Sequence, residues 1–86
     1  MASISEVKSA IARANEQARQ GDQGLNQASA KLDEAMSMLN KAAEGAGNEL
    51  ITQARAALGK AKASIAEARK AIAHSQDSAQ RYAKQI

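Results

Sequence analysis

Two runs of apolar residues at alternating three- and four-residue spacing, separated by Gly45-Ala46-Gly47-Asn48, constrain this chain more than any other feature. The first run is Ile4, Val7, Ile11, Ala14, Ala18, Gly21, Leu25, Ala28, Leu32, Ala35, Leu39 and Ala42. The second is Ile51, Ala54, Leu58, Ala61, Ile65, Ala68, Ile72, Ser75, Ala79, Tyr82 and Ile86. This is the heptad spacing that keeps one stripe of an α-helix turned toward a partner helix in a coiled coil. The runs hold every Ile, Leu and Val except Leu50, so the stripe is not a by-product of composition.

Composition points the same way. The 86 residues include no Pro and no Cys, and Tyr82 is the sole aromatic. Alanine loses no side-chain entropy on entering a helix, so an Ala-rich, Pro-free chain reads as all-α. A β-sandwich or barrel needs more β-branched and aromatic residues. The reading is one domain, residues 1–86, with a helix over about 4–44, a turn at 45–48 and a second helix over about 49–85. Ser3 and Glu6 stand at capping-box spacing, each able to satisfy the other's backbone N–H. Gly45 suits a left-handed cap at the end of the first helix. Asn48 suits the N-cap of the second, and Glu49 complements its positive end.

A turn this short forces the helices to lie antiparallel. Residues whose numbers sum to roughly 93 then face one another. The expected layers are Ala42 with Ile51, Leu39 with Ala54, Ala35 with Leu58, Leu32 with Ala61, Ala28 with Ile65, Leu25 with Ala68 and Gly21 with Ile72. Each sets a large side chain against a small one, as close packing requires. The layers around Ala14, Ala18, Ser75 and Ala79 are small on both sides, which predicts splaying, water or a partner side chain there. Gly21 and Gly24 each cost about 1 kcal/mol relative to alanine in a helix interior. Either Gly21 makes room for Ile72, or the pair kinks the helix.

Residues suited to catalysis are scarce. His74 is the only histidine, with Asp77 one turn away, a pair common on solvated helices. No second His or Cys completes a metal site. Asp33-Glu34 reads as a solvated acidic pair, and Gly45-Ala46-Gly47 lacks the spacing and the Lys-Ser/Thr ending of a phosphate loop. The expectation is therefore a non-enzymatic protein with no cofactor or metal.

Charge is unevenly divided. Residues 1–44 carry five Lys/Arg against six Asp/Glu, and residues 45–86 carry seven against three. Arg55, Lys62 and Arg69 form a basic stripe along one flank of the second helix. A small basic nucleic-acid-binding hairpin is the alternative this raises. The dense patch and interleaved aromatics that single-strand binding uses are missing. The antiparallel register also places Arg69 near Asp22. Charges interrupt every apolar run, so no membrane span is expected. The N-terminus lacks a basic region followed by an apolar core, which predicts no cleavable signal peptide and a cytoplasmic or otherwise exported protein.

Beside the seam lie Met36, Met38, Ala43, Leu50 and Ala57. An isolated hairpin leaves them exposed, and Met adapts readily to partner surfaces. They form the candidate interface through which two hairpins dimerise into a four-helix bundle, with a second copy or another helical protein as partner. A structural assembly protein built from repeated helix contacts is a third reading.

A hairpin of two long helices, under a hundred residues, with glycines in its central turn resembles the WxG-type small proteins handled by type VII secretion in actinobacteria and other Gram-positive bacteria. The resemblance covers the whole chain. It implies homo- or heterodimeric four-helix bundles that act as secreted effectors, adaptors or chaperone-like partners. The turn reads Glu44-Gly45-Ala46-Gly47 where that family carries Trp-x-Gly, and there is no Trp. Tyr82 matches the Tyr of the family's C-terminal export signal, but Ile86 stands where an acidic residue is expected.

Overall fold

A computed structural model describes residues 2–45 and 47–86. It contains two helices, α1 (Ile4–Gly45) and α2 (Glu49–Gln85), packed along each other. The Ser3 hydroxyl accepts from the Glu6 N–H at 3.1 Å, starting α1. Asn48 caps α2 from an extended conformation (φ −142°, ψ 141°), its Oδ1 accepting from the Leu50 N–H at 2.7 Å. Gly45 departs from expectation: it is the last helical residue of α1, and no described glycine has positive φ. The expected turn at 45–48 includes Ala46, which lies outside the described residues.

α1 runs unbroken through Gly21 and Gly24. Its 42 residues, at about 1.5 Å each, account for the full 63 Å length of the molecule, so no kink shortens it. Four cross-helix polar contacts fix the register. They join Asn15 to Gln76, Asp22 and Asn26 to Arg69, and Asp33 to Lys62. These number pairs sum to 91 or 95, bracketing the expected register.

The facing stripes are rotated from those expected. In α1 the half-buried positions are Val7, Ile11, Asn15, Ala18, Asp22, Leu25, Ser29, Leu32, Ala35, Met36, Leu39 and Ala43. Ala14, Gly21, Ala28 and Ala42, expected in the seam, are exposed. The stripe keeps its leucines and takes the residue four positions after each, with Ala35 the one residue three positions on that is half-buried as well. A polar reason is visible: the rotation lets Asp22 and Asn15 reach across to α2. In α2 the expected stripe holds from Ile51 to Ile72, and Ala79 and Ile86 keep their expected places beyond it. Gln76 and Ala83 turn inward in place of Ser75 and Tyr82. At the small layers, Asn15 Nδ2 donates to the Gln76 carbonyl (3.4 Å) and Gln76 Nε2 donates to the Asn15 carbonyl (3.2 Å). Two amides thus fill the gap that alanines alone leave.

The packing is thin. No described residue of either helix is fully buried. The accessible surface is 6351 Å², against about 4,900 Å² for a compact chain of this mass. The radius of gyration is 19.3 Å, where a compact domain of this length has about 12 Å. Two helices cannot enclose an interior, because every position outside their shared stripe faces outward.

Candidate protein-interaction surface

Each helix has two flanks beside its buried stripe, and the two sides of the hairpin differ in chemistry. One side carries the cross-helix ion pairs. Arg69 Nε donates to Asp22 Oδ1 at 2.8 Å, its Nη2 to Asp22 Oδ2 at 3.3 Å, and its Nη1 to Asn26 Oδ1 at 3.0 Å. Lys62 pairs with Asp33. The fork of hydrogen bonds from Arg69 holds the Asp22 carboxyl below its usual pKa, and Asp22 in turn raises that of Arg69.

The other side carries none of these pairs. On α1 its flank is Ala14, Gly21, Ala28, Ala35 and Ala42; on α2 it is Leu50, Ala57, Ser64, Ala71 and Ser78. Successive residues turn 100° around a helix, which sets positions 14, 21, 28, 35 and 42 opposite the flank of Asn26 and Asp33. In the observed register Ala42 lies level with Leu50, Ala35 with Ala57, Ala28 with Ser64, Gly21 with Ala71 and Ala14 with Ser78. All are exposed except half-buried Ala35, and none is charged. Met38 borders the same rows at 69% exposure, and Leu50 is 70% exposed. At the open end of the hairpin this side sinks into a groove of about 680 Å³, lined by Val7, Ala10, Ile11, Ala14, Ala79 and Tyr82 together with the charged Glu6 and Arg13.

The five residues expected beside the seam therefore separate. Met36 and Ala43 turn toward α2 and belong to the hairpin's own packing, a consequence of the rotated stripe. Met38, Leu50 and Ala57 remain exposed on the uncharged side. Spacing alone points Ala14, Gly21, Ala28 and Ala42 to the interior, where the structure leaves them exposed. The clue to their true place lies one residue on, where Asn15 and Asp22 have complements in Gln76 and Arg69. The basic stripe is largely engaged: Lys62 and Arg69 hold Asp33 and Asp22, leaving Arg55 without an ion pair among the described residues.

Elsewhere, charges pair along their own helices. Arg19 binds Glu16 at 2.6 Å, and with Gln20 it pulls the Glu16 carboxyl down to about 2. Asp77 pairs with Arg81 at 3.1 Å rather than with His74, and Glu34 with Lys31 at 3.9 Å. Among the described residues, no three His, Asp or Glu side chains gather as cation ligands. No described helix is long and apolar enough to cross a membrane. No protein-family model, curated protein or solved structure matches the chain.

Proposed function

We propose that this chain is a non-enzymatic interaction module that works by helix–helix pairing, completing a four-helix bundle with a second copy or with another helical protein. One observation carries the reading: the hairpin has no enclosed core, yet it holds large apolar side chains in water. Ile4, Met38, Leu50 and Tyr82 are 51–70% exposed. Folding removes only about half of the surface an extended chain of this mass presents, less than small domains that fold alone. Burial against a partner supplies the missing apolar contact.

The biological role that best suits such a hairpin is that of a WxG-like secretion-associated or adaptor protein. Its support is architectural: two long antiparallel helices, a glycine-bearing connection and a C-terminal Tyr82. The nucleic-acid reading loses its main support, because two of the three stripe cations are held by carboxylates within the chain.

The test has two parts. Sedimentation of the purified chain, alone and co-expressed with the products of adjacent genes, should find a complex of two hairpins. Detection of the tagged chain in culture medium should depend on an intact type VII system. A chain that stays single in every mixture refutes the pairing reading. Export unaffected by disabling the system, or no export at all, refutes the secretion assignment.

A further inference from the structure

We propose that α1 has two seats against α2, related by a turn about its own axis, and that the polar contacts across the seam are a latch holding it in the seat observed. The device lies within a single hairpin, so it does not depend on the pairing reading above.

The geometry begins with a shared spine. Ile11, Ala18, Leu25, Leu32 and Leu39 recur every seven residues and are all half-buried. A coiled-coil seam needs one more residue in each heptad, three or four positions on. The residues four on are Asn15, Asp22, Ser29, Met36 and Ala43, and all are half-buried. The residues three on are Ala14, Gly21, Ala28, Ala35 and Ala42, small and uncharged. The two sets lie about 100° apart around the helix, so a turn of about 50° exchanges them. Ala35 and Met36 are both half-buried, so at that level the two sets already share the seam. No described residue is fully buried, so the turn breaks open no enclosed core.

Gly21 is the residue the observed seat leaves without a task. It lacks positive φ, and a Cβ added there meets nothing within 4 Å. Alanine would serve the helix better at such a place. In the second seat Gly21 turns to face Ile72, and a residue with no side chain is what lets that large group enter.

The contacts that select the observed seat lie on one flank. Asn15 and Gln76 donate to each other's carbonyls at 3.4 and 3.2 Å. Arg69 grips Asp22 at 2.8 Å and Asn26 at 3.0 Å, and Lys62 holds Asp33. Asn26 and Asp33 stand one residue past Leu25 and Leu32, so the turn carries them away from α2. Loss of these contacts is the signal. The output is a changed surface, with Asn15, Asp22, Ser29 and Met36 turned out and Ala14, Gly21, Ala28 and Ala42 turned in. Two discrete packings of the same elements are what a conformational switch requires.

The experiment reads which residues face outward. The chain has no Cys, so a single engineered thiol reports without background. Ala28→Cys and Ser29→Cys are alkylated in separate samples, with circular dichroism recording helicity. In the parent background the exposed Ala28→Cys should react several-fold faster than the half-buried Ser29→Cys. Lys62→Glu, Arg69→Glu and Gln76→Ala together undo the latch from α2 and leave α1 untouched. In that background the order should reverse by several-fold, with helicity retained. Adding Gly21→Leu should then restore the parent order, because leucine cannot seat against Ile72. Lys62→Gln, Arg69→Gln and Gln76→Ala give a milder release if charge reversal unfolds the chain. An order unchanged by both releases overturns the proposal. Two equally fast thiols do so too, since they mean parted helices, as does loss of helicity in the milder release, which makes these contacts structural alone. A reversal that persists with Gly21→Leu overturns the role given to Gly21.

Discussion

Replacing Gly21 and Gly24 together by alanine should stabilise the hairpin. Both lie inside a continuous helix, and the added methyl groups enter open space. Helix propensity then acts alone, at about 1 kcal/mol for each position, or about 2 kcal/mol for the pair. In a domain of this size 1 kcal/mol moves the midpoint by roughly 4–8 °C, so the dilute double variant should melt roughly 10 °C higher. Gly59 supplies the control. It is also helical with open space at its Cβ, but it lies on the outer surface of α2, off the uncharged side. Gly59→Ala should gain about 1 kcal/mol at every concentration. Thermal melts by circular dichroism on dilute samples read the gain. A lower midpoint for the dilute double variant refutes the open environment of these glycines.

Leu32→Asp should abolish cooperative melting, since Leu32 faces α2 and a carboxylate there replaces apolar packing while the nearby Lys62 is already held by Asp33; a midpoint near that of the parent contradicts the packing. Asn15→Leu with Gln76→Leu removes both reciprocal amide bonds together. The melting midpoint should shift little or rise, while spin-label distances between the helices broaden, because a polar layer selects register more than it stabilises. Glu16 and Asp22 both titrate lower in the folded chain than unfolded, so their contribution is complete above pH 4.5 and fades as pH falls, that of Glu16 through about 2. Asp22→Asn should therefore narrow the difference in midpoint between pH 7 and pH 2.5, and an undiminished difference argues against the Arg69 pair as its source.

Heptad spacing, the absence of proline and the glycines near residue 46 were enough to read two helices and their antiparallel register. Those features act locally or through chain connectivity: helix propensity is a property of each residue, and a short connection leaves one way to pack. The Arg69–Asp22 contact was legible for the same reason, as register alone brings those residues level. Which way each helix turns about its own axis was not legible. Ala14, Gly21, Ala28 and Ala42 fit the apolar spacing as well as Asn15, Asp22, Ser29 and Ala43 fit the observed stripe, and burying an alanine gains little. Rotation is settled instead by contacts between distant residues, Asn15 with Gln76 and Asp22 with Arg69, which only the packed pair of helices brings together. That small rotation moves Met36 inward and Ala14, Gly21, Ala28 and Ala42 outward, and so decides which residues the hairpin leaves exposed.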